Sequence, residues 1–240
     1  MLYRFRGVVV ACMLLNCLGF STKPDTGKGT LKIIFEPVFG ARALVLEKEK
    51  YHSANGDSLY IDFLRFYISS IQLQGKNAAF EETAGYHLVD AEDSASQIVV
   101  LENVPAGRYK TLKMNVGTDS LANVSGAQGG DLDPTLGMYW AWNSGYINAK
   151  IEGRSNSCST LHHGFEFHIG GYLPPYQTVR SVVLPLNQLK IKENGVTELH
   201  IKVDLATFFN QIQLSKTNQM MIPGKQAAQM ADCFVNVFSI

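Results

Sequence analysis

Apolar and polar positions alternate in short runs along most of the chain. The runs fall at 31–35, 59–73, 86–89, 98–101, 109–116, 146–151, 165–169, 179–186 and 199–203, separated by Gly, Pro, Asn and Asp. Many short period-2 segments with turn residues between them predict an antiparallel β-sandwich, an all-β fold with long loops, rather than alternating strands and helices. The segment 98–114 carries the clearest turn signal, with Pro105 and Gly107 between two apolar runs, and predicts a hairpin. Helical spacing occurs twice, in a short charged run at 44–51 and at 224–238. In the second, Ala227, Ala228, Ala231, Phe234, Val235 and Phe238 fall on one face, which predicts a C-terminal helix. The Gly-, Asp-, Asn- and Ser-rich stretch 118–134 reads as one long loop within the domain, a length typical of functional segments.

The N-terminus departs from this pattern. Arg4 and Arg6 precede an apolar run at 7–15 that is too short to span a bilayer, so residues 1–17 read as an export signal. The run ends Leu14-Leu15-Asn16-Cys17, similar to a bacterial lipobox, in which Cys17 would be acylated and anchor the chain to a membrane. Asn16 stands where such boxes carry a small residue, and cleavage near Phe20 without lipid is the alternative. Residues 18–30 read as a flexible tether and 31–240 as one domain. An exported chain meets an oxidising compartment, so Cys158 and Cys233 are disulfide candidates, with two separate thiols as the other reading.

Composition removes several functions. The 21 basic and 21 acidic residues cancel, and no basic stripe interleaved with aromatics is present, which argues against nucleic acid. No Gly-x-Ser-x-Gly, His-Glu-x-x-His, phosphate-cradling glycine loop or paired CxxC occurs, so no enzyme motif is present. There are six histidines, of which His162, His163 and His168 cluster. On a strand at 165–169, His168 and Glu166 would share one face and Phe165, Phe167 and Ile169 the other. A histidine there is either hydrogen-bonded scaffold or a metal ligand, whereas His52, His87 and His200 each stand alone.

Both tryptophans lie in Gly137-Met138-Tyr139-Trp140-Ala141-Trp142-Asn143-Ser144-Gly145-Tyr146-Ile147. On an extended segment Trp140 and Trp142 would point to one side, as an aromatic wall beside Met138, either filling a core layer or bordering a site at the exit of a polar loop. This motif, followed by Lys150-Ile151-Glu152-Gly153 and Phe165-Glu166-Phe167-His168-Ile169-Gly170, resembles the MbnP family of exported copper-binding proteins. The resemblance extends to Phe66-Tyr67-Ile68-Ser69-Ser70-Ile71-Gln72-Leu73, Val104-Pro105-Ala106-Gly107-Arg108-Tyr109 and Val203-Asp204-Leu205 with Phe208-Phe209, nearly the whole mature chain. It implies a non-enzymatic copper protein of the periplasm or cell surface. In that family a partner dihaem protein of the MbnH type, related to cytochrome c peroxidases, converts a tryptophan to kynurenine, whose aromatic amine joins histidine nitrogens around the metal. By resemblance Trp140 and Trp142 are the modification candidates and His168 the first ligand candidate. The second histidine is open among His163, His162 and His87. An envelope binding or adhesion module without metal is the alternative reading, and a copper enzyme ranks last.

Overall fold

The computed structural model describes residues 27–83, 85–143 and 145–240; Cys17, the export signal and most of the tether lie outside them. Ten strands carry the fold: β1 (Lys28–Phe39), β2 (Ser58–Gly75), β3 (Tyr86–Asp90), β4 (Ile98–Pro105), β5 (Gly107–Val116), β6 (Tyr139–Trp140), β7 (Gly145–Ser155), β8 (Gly164–Gly170), β9 (Arg180–Ile191) and β10 (Val196–Asp204). Three helices accompany them: α1 (Ser120–Val124), α2 (Leu205–Phe209) and α3 (Lys225–Phe234). All nine predicted runs are strands, most extending a few residues further, and β1 already includes residues 28–30.

One sheet is built on β1, flanked by β10 on one side and β4 on the other. The β1–β10 ladder is parallel, which corrects the purely antiparallel expectation. Parallel strands need a long crossover, and here the second sheet, apart from its short edge strand Gln219–Met220, lies between them in sequence. In that second sheet the order runs β9, β5, β2, β7, β8, all antiparallel. Phe35 of β1 meets Phe66 of β2 edge to face at 5.9 Å, so the inner faces of both sheets share one core. The segment after β10 closes that core with Phe208 and Phe209 of α2 and Phe234 of α3, whose ring lies 5.8 Å from Phe66. Ala227, Met230, Ala231 and Phe234 are the buried face of α3, an i, i+3, i+4, i+7 stripe; Ala227, Ala231 and Phe234 lie on it as predicted, Met230 takes the place expected for Ala228, and the helix ends at Phe234, so Phe238 is extended.

Strand β2 decides where the rest goes. Its apolar positions in the shared core are 59 and 61, then 64, 66 and 68, then 71 and 73, so the period-2 alternation slips twice. Each slip is a bulge: the ladder with β7 shifts between Phe63 and Ile61, and that with β5 shifts beyond Ser69, where Ser70 has φ of 53°. Bulges bend a strand, and β2 takes two partners end to end along one edge. The start of β7 pairs with Phe66 and the end of β5 with Ile68, while β3 covers the opposite edge at 65–69. The chain leaving β5 at Val116 and returning into β7 at Gly145 therefore emerges at the middle of β2.

Two expectations of local structure fail for tertiary reasons. Segment 98–114 is not a hairpin, because β4 pairs with β1 in one sheet and β5 with β2 and β9 in the other. The turn signal was sound, but a turn fixes chain direction and leaves the pairing partner open. Gly107 serves a close approach there, since a Cβ on it would sit 2.8 Å from Ala78 Cβ. Segment 44–51 forms no helix. Glu47 is left-handed at φ 64° and donates its N–H to Ile61 C=O, while Tyr51 stacks on Phe39 at 4.6 Å and accepts from Val45 N–H.

Candidate functional site

The excursion 117–144 is not a bare loop. Asp119 caps α1 through Ala122 N–H, and Asp133 caps a 3-10 turn at Pro134–Leu136 through Thr135 N–H, so two short polar side chains stop the segment from wandering. It has its own small core of Tyr67, Leu88, Ala122, Leu132, Met138, Trp140, Tyr146 and Ile147, laid against the outer face of the second sheet. Polar clamps pin it. Tyr67 OH donates to Asp131 C=O at 2.9 Å, Tyr146 OH to Leu132 C=O at 2.9 Å, and Arg65 to Leu136 C=O at 2.7 Å, while the Asp131 carboxylate accepts Leu88 N–H at 2.9 Å. Burial raises the phenol pKa values of Tyr67 and Tyr146, keeping both as donors. A buried relay of Asn123, Thr118, Asn148 and Thr178 then ties the excursion to β7 and to the loop after β8, ending on Gly171 C=O.

The two tryptophans are treated differently by this arrangement. Strand β6 ends at Trp140, which is 6% exposed, and the chain turns so that Trp142 is 64% exposed. They still touch, with ring centroids 5.5 Å apart and planes tilted by 44°. The expected wall is thus a buried ring with a solvent-facing ring on it. Trp140 sits on Gly170 of β8: a Cβ on Gly170 would lie 2.7 Å from Cζ3 and 2.8 Å from Cη2 of the indole. Gly170 and His168 are two residues apart on one strand and face the same way. The fold therefore seats Trp140 on Gly170, and Gly170 lies one strand repeat from His168 on the same face of the sheet.

His168 is 8% exposed. Its Nε2–H donates to Glu152 Oε1 at 2.7 Å, because an ionised carboxylate can only accept, and Lys150 Nζ reaches the same oxygen at 3.3 Å. The hydrogen bond from His168 holds the Glu152 carboxyl below its ordinary pKa, with burial opposing and Lys150 assisting. The charged layer continues through Arg65, which binds Asp90 at 2.6 Å and lies 4.4 Å from the Phe63 ring centroid. Glu152 went unnoticed in the sequence; its place opposite Glu166 on β7, next but one to the His168 pair, is readable only from the register.

The other histidines go elsewhere. His163 lies beyond the far end of β8, roughly 15 Å from His168 at strand rise, with Nδ1–H donating to Cys158 C=O at 2.9 Å. His162 adjoins it. His87 binds Glu82 at 2.8 Å, His200 binds Glu36 at 2.7 Å, and His52 binds Ser58 at 3.0 Å, so each lone histidine has a structural partner. None of these joins His168, which corrects the pairing of His163 with it. Cys158 and Cys233 are both free, and the bridge between them is not formed.

The sequence profile of the MbnP family matches residues 28–222, spanning the sandwich, the excursion and the tryptophan pair. The chain belongs to the MbnP family. Among solved structures it is similar to MbnP from Methylosinus trichosporium, with a TM-score of 0.55 and 15% identity over 82% of this chain and 83% of that one. At that identity the likeness shows the MbnP fold alone. No curated protein matches the chain.

The copper that the family resemblance implies finds an incomplete donor set. Among the described residues no group of three His, Cys, Asp or Glu side chains converges as a metal site requires. Around Trp140 the donors are the Met138 thioether and two phenols already committed to backbone carbonyls. Beside His168 the one carboxylate within hydrogen-bond distance among the described residues is Glu152, and the Met138 thioether of the Trp140 cluster is a soft donor of the kind that suits Cu(I). Among the described residues no helix is long and apolar enough to cross a membrane.

Proposed function

We propose that this chain is a non-enzymatic, exported copper-binding protein of the MbnP type, whose copper site is completed by chemical opening of Trp140. The observation carrying this reading is the seat of Trp140 on Gly170, next to His168 on the same sheet face. Oxidative cleavage of the indole ring followed by loss of its formyl group would leave an aromatic amine at that place. His168 would supply an imidazole beside it, with Glu152 fixing the ring orientation as carboxylate partners of metal-bound histidines do. Trp142 is the solvent-facing half of the pair, through which an oxidising dihaem partner would reach the buried ring. Export through residues 1–17, with lipidation at Cys17, places the protein in the periplasm or on the cell surface.

The test is the mass of the tryptic peptide 114–150 from the native host, with fragmentation to locate any change, paired with copper titration of modified and unmodified protein. Kynurenine at Trp140, copper binding only in the modified form, and its loss in His168→Ala would agree with this reading. An unmodified peptide together with unchanged copper binding in His168→Ala would sink it.

A second reading has its own observation. Leu173 and Tyr176 are exposed in the wall of a cleft of about 220 Å³ that is also lined by Asn143, Tyr172, Pro174 and Pro223, and the exposed Trp142 and Ile222 adjoin Asn143 and Pro223 in sequence. Such an uncharged aromatic rim suits a metal-free binding module, and absence of copper-dependent thermal stabilisation would favour it.

A further inference from the structure

We propose that the cavity at the far end of β7 from the tryptophans binds a small oxyanion of the phosphate or sulfate class. The cavity measures about 220 Å³ and is lined in part by Lys50, Tyr60, Arg154, Asn156, His162 and His163, with no acidic side chain in its wall. It is smaller than the pockets that take drug-sized ligands, which suits a single tetrahedral anion.

Electrostatics supplies the sign. Lys50 Nζ lies 5.7 Å and Arg154 Cζ 4.6 Å from the centroid of the Tyr60 ring, so one aromatic face system gathers two like charges. Arg154 is partly neutralised: NH1 donates to Asp62 at 2.6 Å and NH2 to Glu47 C=O at 2.7 Å. Lys50 has no acidic partner among the described residues. Arg154 therefore contributes field while its fork is occupied, and the free donors facing the cavity are the Lys50 ammonium and the Asn156 amide, with the two imidazoles beside them.

The histidine pair is held by the backbone. His162 and His163 are consecutive non-glycine residues in the left-handed region, at φ 56° and 57°. Side chains with a Cβ avoid that region, and a strained pair persists where surrounding contacts impose it. Here Thr160 C=O accepts His163 N–H at 3.0 Å, and Cys158 C=O accepts the ring Nδ1–H at 2.9 Å. The second bond fixes the tautomer and leaves Nε2 of His163 available, and His162 has no hydrogen-bond partner among the described residues. Both imidazoles line the cavity, so protonation turns each into a charge-assisted donor to an oxyanion. This site is separate from the copper reading and stands if that reading fails.

The experiment is calorimetric titration of the full chain with inorganic phosphate and with sulfate, against chloride at matched ionic strength, with thermal melting alongside. Wild-type protein should bind phosphate and melt at a higher temperature with it. Lys50→Ala and His162→Ala, both changes of exposed side chains, should each weaken binding by about tenfold or more, the loss of one charge-assisted hydrogen bond. Lys113→Ala, an exposed lysine on β5 paired with Gln72 at the opposite end of β2 from the cavity wall at Ser58, should bind as wild type. Co-sedimentation with phosphatidylglycerol vesicles, absent with phosphatidylcholine and lost in Lys50→Ala, would assign the anion to a lipid headgroup. Phosphate binding without vesicle binding would assign it to a free anion. No heat and no thermal shift, or equal shifts in wild type and both variants, would overturn the site.

Discussion

Adding one methyl group at Gly170 tests whether the seat of Trp140 is what the geometry says. In Gly170→Ala the new Cβ would stand 2.7 and 2.8 Å from two indole carbons and 2.8 Å from the Tyr146 carbonyl oxygen. Carbon atoms pack at about 3.5–4.0 Å, so the ring must retreat by about 1 Å. Met138, Tyr146 and Ile147 share its cluster and are themselves at most 2% exposed, and the Tyr146 oxygen belongs to a paired strand, so little can yield. Overpacking of this kind costs about 1–3 kcal/mol. For a domain of this size about 2–4 °C is lost per kcal/mol, which predicts a melting temperature lower by about 2–12 °C. The assay is thermal unfolding with near-ultraviolet circular dichroism, which reports the coupled pair at 5.5 Å because the chain has 2 tryptophans. A double-mutant cycle with Trp140→Ala should recover the part of the cost that comes from the ring and leave the part that comes from the Tyr146 carbonyl oxygen. A loss below about 0.5 kcal/mol with an unchanged tryptophan signal, against a surface-like baseline, would refute the packing argument.

Asn148→Ala should destabilise by about 2–3 kcal/mol, measured by urea unfolding, because it strands Thr118 N–H and removes the donor to Thr178 in a buried relay; a neutral result would mean water takes over those bonds. Burial pushes the Cys158 thiol up to about 11, so in the folded protein at pH 8 only about one molecule in a thousand carries the thiolate and alkylation should wait for unfolding. Labelling of folded Cys158 at the rate of a free cysteine, followed by mass spectrometry, would contradict its placement. Burial and the hydrogen bond to Asp119 raise Tyr86 to about 12 from an ordinary value near 10. The unfolded chain then loses that proton first, so the contribution is full below pH 10 and is lost as pH rises toward 12. Tyr86→Phe should flatten the alkaline decline in stability, and an identical slope in both proteins would count against the hydrogen bond.

The local signals and the tertiary outcome agree where one element's own pattern suffices. The α3 stripe, the alternation of β8 and the caps at Asp119 and Asp133 depend on residues a few positions apart, and they formed as their chemistry requires. The hairpin at 98–114 and the helix at 44–51 failed because their fate depends on partners far away in sequence, β1 and β2 in one case and Ile61 in the other. The candidate site shows the same division. The alternation 165–169 placed His168 on the less apolar face, where it meets Glu152. Neither that alternation nor the motif around Trp140 could reveal that Trp140 is buried on Gly170 while Trp142 faces solvent, although a Gly-Gly pair at the end of a strand signals a close approach.

By itself the sequence determined an all-β chain with a C-terminal helix, because hydrophobic periodicity is a property of neighbouring residues and survives any choice of pairing. It also determined family membership, through a motif that needs no coordinates. Tertiary structure alone decided that β1 and β10 run parallel, that two bulges let β2 take β7 and β5 end to end, and that the excursion between them lies over Tyr67. It alone separated His163 from His168, joined Glu152 to His168, and set two cations on Tyr60. Those outcomes follow from strand register, and register is set by the summed fit of both sheets around one core, a quantity that no short stretch of sequence contains.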